Sequence, residues 1–115
     1  MARFQLVSGN LFCKGNDVQA TGQLEGHYVL VVFAGSTAVG NRLFNQRLLD
    51  QGVIRHDGKL FHFDKDFPFP NPTTASDYVL GNPDTDGWKS WKNQAGQTLR
   101  ELVKAAGYEW LISKT

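Results

Sequence analysis

Apolar and polar positions change rhythm several times along the chain, and each change predicts an element. From Arg3 to Phe33 the rhythm is that of strands: Phe4-Gln5-Leu6-Val7, Asp17 to Leu24 and Tyr28 to Phe33, each bounded by Gly or Asn. Three strands are expected there, the second and third joined through Glu25-Gly26-His27 as an antiparallel hairpin. Tyr28 to Phe33 contains no charged position, which predicts a central strand buried on both faces. Gly35-Ser36-Thr37-Ala38 then leaves the sheet.

Helical spacing takes over from Asn41 to Asp50, where Leu43, Phe44, Leu48 and Leu49 are apolar and Gly52 is placed to stop the helix. Val53 to His56 and Lys59 to Phe63 flank Asp57-Gly58, a pair suited to a type I′ hairpin turn, whose two central residues both need positive φ. Phe67-Pro68-Phe69-Pro70-Asn71-Pro72 reads as an ordered loop anchored by its Phe side chains, because proline removes donors and extends the residue before it. Thr73 to Leu80 reads as a helix with Asn71 as cap, Pro72 in the first turn and Gly81 at the end. If Gly81 is left-handed, replacing it by Val should cost about 1–2 kcal/mol. Trp88 to Lys92 reads as a turn or a single helical turn, and Thr98 to Ala106 as a last helix stopped by Gly107.

Strands joined by short hairpins, without repeated βαβ crossovers, predict an α+β fold: an antiparallel sheet with two or three helices packed mainly on one face. No repeat or linker divides residues 1–115, so a single domain is expected. At 41% hydrophobic, the 115 residues suffice for one core. No stretch approaches the roughly 20 apolar residues that span a bilayer, so no membrane partner is expected.

Charge changes the picture more than composition does. Twelve basic against eleven acidic side chains give +1, so any attraction to nucleic acid must come from a local patch. Residues 64–86 hold five Asp and one Lys, whereas residues 87–104 hold Lys89, Lys92, Arg100 and Lys104 against Glu101. Cys13 is the only cysteine, which excludes an internal disulfide and a Cys-rich zinc site. The apolar run near Met1 is too short for a secretory leader, and a cytoplasmic location is expected.

Few constellations point to catalysis. His56 and His62 lie across the Asp57-Gly58 hairpin and read as surface residues, although Asp64 and Asp66 lie nearby in sequence for a metal site. Asn82-Pro83-Asp84-Thr85-Asp86-Gly87 matches the first half of a calcium loop, but Asn93 stands where the bidentate Glu belongs. Cys13 beside Phe12 reads as a small buried hydrophobe, and Gly35-Ser36 lacks the Lys and glycines of a P-loop. No cofactor is implied. Trp88-Lys89 and Trp91-Lys92 interleave cations with π-faces, the combination used in phosphate-plus-base contacts, against the alternative that the indoles fill the core.

Asn71-Pro72-Thr73-Thr74-Ala75-Ser76, Val79-Leu80-Gly81, Asp86-Gly87-Trp88, Trp91-Lys92 and Gly96-Gln97-Thr98-Leu99 occur in an order that resembles the bacterial domain of unknown function 4357. The resemblance extends upstream through Phe61 to Phe67 and Val32-Phe33-Ala34-Gly35-Ser36, and covers about residues 4 to 104. The chain is also similar to the restriction system and Mrr-like adenine methylation associated domain. Members of such families accompany GIY-YIG nucleases, restriction subunits and adenine methylases, which implies a non-catalytic module. Two departures stand out: Ala34 where the family has Lys, and Asp86 where it has Asn.

Two readings follow. The first is a nucleic-acid-binding accessory module whose binding face comprises Gly35, Ser36, Trp88, Lys89, Trp91 and Lys92, the more exposed Trp stacking on a base. The second is a protein-interaction module, a standalone defence, counter-defence or regulatory factor that docks on a protein partner such as a methylase or nuclease. Salt separates them, because phosphate contacts release counterions and apolar interfaces do not.

Overall fold

The computed structural model describes residues 6–108. In chain order they form β1 (Leu11–Lys14), β2 (Gln19–Glu25), β3 (Val29–Val32), β4 (Thr37–Ala38), α1 (Arg42–Asp50), β5 (Ile54–His56), β6 (Phe61–Phe63), β7 (Phe67–Phe69), α2 (Pro72–Leu80), α3 (Gly87–Ser90) and α4 (Leu99–Ala105). The strands pair antiparallel in the order β1-β2-β3-β7 and, separately, β4-β6-β5. The α+β class expected from the sequence is the class observed, with two antiparallel sheets instead of one. Among the described residues no helix is long and apolar enough to cross a membrane.

The larger sheet is one-sided. Leu11 and Cys13, Ala20 and Leu24, Leu30 and Val32, and Phe67 and Phe69 point inward and are buried. Their alternate neighbours Phe12, Lys14, Thr21, Val31 and Pro68 are half-buried or exposed, as period-2 alternation requires when one face meets water. Ala75, Tyr78 and Val79 of α2 cover the inner face, joined by Trp88, Trp91, Leu99 and Val103. Tyr78 is the hub: its ring meets Phe44, Phe63 and Phe69, and its hydroxyl donates to Asn45 Oδ1 at 2.9 Å. Burial holds the Tyr78 hydroxyl well above the ordinary tyrosine pKa.

Several elements depart from the sequence reading for identifiable reasons. The first strand is Leu11–Lys14; of the expected Phe4 to Val7, Phe4 and Gln5 lie outside the described residues, while Leu6 and the buried Val7 are not in a strand. β3 does sit inside its sheet, between β2 and β7, but only Leu30 and Val32 are fully buried, Val29 and Val31 on the other face being half-buried. Phe67–Phe69 is a strand despite Pro68, which lies opposite Val31. Among the described strands β7 lies at an edge of its sheet, a place where a missing N–H is tolerated and where it also denies an incoming strand a donor. In α1, Phe44 and Leu48 are four apart and face inward, leaving Leu43 85% exposed.

The Asp57-Gly58 hairpin forms without the expected turn. Only Gly58 has positive φ, and no non-glycine residue does among those described. Instead the Asp57 carboxylate accepts from Lys59 N–H at 2.8 Å and Leu60 N–H at 2.7 Å, and Asp57 N–H donates to Leu60 O. An Asx-type loop has replaced the two-residue turn.

α2 keeps the punctuation read from the sequence. Asn71 Oδ1 accepts from Thr74 N–H at 2.7 Å, and Gly81 is left-handed at φ 68°. A Cβ at Gly81 would also lie 2.4 Å from Val39 Cγ1. The Val39 collision adds to the left-handed strain, so Gly81→Val should destabilise by about 2–3 kcal/mol instead of the strain alone. Urea denaturation checks this; an unchanged midpoint would contradict it.

Candidate functional site

Both tryptophans, of which the more exposed one was expected to stack on a base, are core residues. Trp88 is 3% exposed and Trp91 0%. They lie one helical turn apart, so both turn to the side on which α3 docks against the start of α2. Trp91 Nε1–H donates to Pro72 O at 3.1 Å, and Asp86 caps α3 by accepting from Trp88 N–H at 3.0 Å. Neither indole is available to stack on a ligand, which corrects the stacking role expected of them.

Gly35 and Ser36 serve the scaffold. Gly35, at φ 93°, donates its N–H to Phe63 O at 2.8 Å. The buried Ser36 hydroxyl accepts from Thr21 N–H at 3.0 Å and donates to Thr21 O; the Thr37 hydroxyl does the same with Gln19 N–H and O. Two side-chain hydroxyls thus satisfy the edge of β2 where the chain crosses from one sheet to the other. Of the six residues expected to form the binding face, Lys89 and Lys92 alone present exposed side chains.

Lys92 leads to a surface that the sequence reading missed. Lys92 N–H donates to Phe12 O at 3.0 Å and Phe12 N–H to Lys92 O at 2.7 Å, and Lys92 also bridges Thr98. The strand register therefore sets Thr98, Lys92, Phe12 and Thr21 in one row across the open face of the sheet. Lys14 and Gln19 form the next row, about 7 Å along the strand at two residues' rise. Between these rows and the turn after α3 lies a groove of about 510 Å³ lined by Phe12, Lys14, Gln19, Lys92, Asn93 and Gln94, with no acidic residue in its wall. Leu11-Phe12-Cys13-Lys14 carries the alternation that would have placed Phe12 and Lys14 together, had the first strand been assigned there.

Electrostatics favour an anion at this groove. Among the described residues, neither Lys14, Lys89 nor Lys92 has an ion-pair partner. Most carboxylates, by contrast, are held by internal donors: Asp64 by Arg55, Asp66 by Ala34 N–H, Asp77 by Thr85, Asp86 by Trp88 N–H and Glu101 by the N–H and hydroxyl of Thr98. The near-neutral total conceals cations that are free and anions that are engaged.

The other candidates dissolve into structure. Asn82, Thr85 and Asp86 of the calcium-like loop spend their side-chain oxygens on Asp84 N–H, Asp77 and α3. His56 pairs in register with Phe61, and His62 with Arg55, so the two imidazoles do not face each other. His56 Nδ1 accepts from Gly58 N–H, and His62 Nε2 bonds Asp57. The Asp57 carboxyl is held well below the usual aspartate range, first by Leu60 N–H, then by His62 and Lys59 N–H. Burial pushes the Cys13 thiol up to about 12, which makes it a poor nucleophile. Among the described residues no group of three or more His, Cys, Asp or Glu side chains is placed to hold a metal.

Fold and groove define a small α+β protein built on a one-sided antiparallel sheet whose open face is cationic and aromatic at one end. The model of the family Domain of unknown function (DUF4357) matches residues 11–103, and the chain belongs to that family. No curated protein and no solved structure matches it. The two departures from the family pattern are structurally quiet. Ala34 contributes only its N–H, and Asp86 keeps the oxygen acceptor that an Asn would bring to the cap.

Proposed function

We propose that this chain is a non-catalytic accessory module that binds nucleic acid through the open face of its larger sheet. The observation that carries the reading is the acid-free groove whose wall Phe12 shares with two lysines, Lys14 and Lys92, that have no ion-pair partner among the described residues. Lysine ammoniums contact phosphate, and an aromatic side chain on a solvated sheet offers a base a surface to stack on. The family resemblance adds a setting, the company of a separate nuclease or adenine methylase in restriction-modification. Lys89, on the outward side of α3, extends the positive surface beyond the groove.

The test is the salt dependence of oligonucleotide binding by fluorescence anisotropy. Lys14→Ala with Lys92→Ala should leave the fold intact, because exposed unpaired charges contribute little to stability. The pair should weaken binding to every sequence and lower the slope of log K against log[salt] by about two units. A slope equal to that of the unaltered protein would remove these lysines from the interface. Absence of binding to any oligonucleotide at about 50 mM salt would remove nucleic acid altogether.

A second reading, docking on a protein partner, draws support from Leu43, which is 85% exposed, with Val39 and Leu49 also partly exposed nearby in sequence. Such an interface would be insensitive to salt and would be lost on Leu43→Lys while oligonucleotide binding persisted.

A further inference from the structure

We propose that the groove beside Phe12 takes one unpaired nucleotide, its base stacked on the Phe12 ring and its flanking phosphates on Lys14 and Lys92. The proposal rests on the nucleic-acid reading above and specifies the strand state of the ligand. A ring on a sheet reaches the face of a base only when that base is out of a duplex stack, so an aromatic platform selects single strands or extruded nucleotides. Phe12 is suited to be such a platform because its backbone is clamped on both sides, by the reciprocal bonds with Lys92 and by pairing with Thr21. Little ordering of the platform is left to be done on binding.

The groove's size and chemistry agree with a nucleotide. Its volume of about 510 Å³ falls in the range of small-ligand sites, about 300–1,000 Å³. Its polar wall offers carboxamides of two kinds. Asn93 is committed to Gln97, accepting from Gln97 N–H and donating to its side chain. Among the described residues the side chains of Gln19 and Gln94 make no such bond. Both carry a donor and an acceptor, the pattern that base edges present. The charge complementarity is one-sided, with two free ammoniums and no carboxylate in the wall.

The experiment compares three probes on the full chain at about 50 mM salt: oligothymidylate and oligouridylate of about 12 nucleotides, and a hairpin duplex of equal charge. Phe12→Leu keeps an apolar side chain of similar bulk without a π-face, and Phe12→Tyr keeps the ring. The unaltered protein should bind at least one single strand about tenfold more tightly than the duplex, and Phe12→Leu should erase that preference while Phe12→Tyr retains it. Preference for oligothymidylate or for oligouridylate assigns the ligand to DNA or RNA, and either supports the proposal. Equal binding of single strand and duplex, unchanged by Phe12→Leu, overturns the stacking site and leaves the phosphate reading standing. Binding to none of the three probes overturns both. Circular dichroism of Phe12→Leu and Phe12→Tyr reports folding; if Phe12→Leu is unfolded, the unaltered protein still decides, since equal affinity for single strand and duplex overturns the stacking site.

Discussion

Gly87→Ala is expected to destabilise the protein by about 3 kcal/mol or more, at or past the upper end of ordinary overpacking. A Cβ at position 87 would lie 2.1 Å from Pro72 C, 2.3 Å from Pro72 O and 2.3 Å from Thr73 N. All three are backbone atoms in the first turn of α2, so no side chain can rotate away to make room. α3 would have to lift from α2, weakening the 3.1 Å bond from Gly87 N–H to Thr73 Oγ1 and loosening Trp88 and Trp91. Total stabilities of small proteins are about 5–15 kcal/mol, so the loss is a large fraction. Lys89→Ala, two residues away and exposed, is the control and should change stability by less than about 0.5 kcal/mol. Chemical denaturation of the pair checks this, and a Gly87→Ala variant as stable as Lys89→Ala would show that α3 does not dock as described.

Trp91→Ala should cost about 3–5 kcal/mol, the usual loss for removing a large aromatic from a packed interior. Trp91 is among the largest fully buried side chains and belongs to the cluster that includes Leu11, Leu99 and Val103. Trp91→Phe separates packing from hydrogen bonding. It keeps a ring but removes the indole donor to Pro72 O, and should lose a smaller amount, of which about 0.5–1.5 kcal/mol is that hydrogen bond. Denaturant midpoints for both variants give the comparison. Were Trp91 a ligand-stacking residue on the surface, Trp91→Ala would leave the midpoint nearly unchanged and abolish binding; here the order of effects is reversed.

The same motif explains how far the sequence could be read. Asn71-Pro72, Gly81 and Thr98 announced helix ends through local chemistry, and the structure uses each there: Asn71 caps, Gly81 is left-handed, and Thr98 forms a reciprocal capping box with Glu101. These signals are legible because they depend on a few adjacent residues. Asp86-Gly87-Trp88 and Trp91-Lys92 were read as a basic-aromatic surface, because alternating Trp and Lys has the same appearance whether the indoles face out or in. Which way they face depends on Pro72 approaching Gly87, a contact between segments that no local pattern encodes. Phe12 and Lys14 were overlooked for a related reason. Their importance comes from Lys92 bridging to Phe12 across the chain, a pairing of distant segments that the local pattern does not carry. β7 was hidden by Pro68, which only an edge position makes compatible with a strand.

Nucleic acid is expected to meet the sheet face that carries Phe12 and Lys14, and not the tryptophan motif. Amide chemical-shift mapping with a short single-stranded oligonucleotide tests it most directly, since it reports position residue by residue on the unaltered protein. The largest, saturable shifts should fall on Phe12 to Lys14, Gln19 to Thr21 and Lys92 to Gly96, with the Nε1–H of Trp91 unmoved. Shifts centred instead on Leu43 and the exposed side of α1, or on the Trp88 and Trp91 indoles, would contradict it.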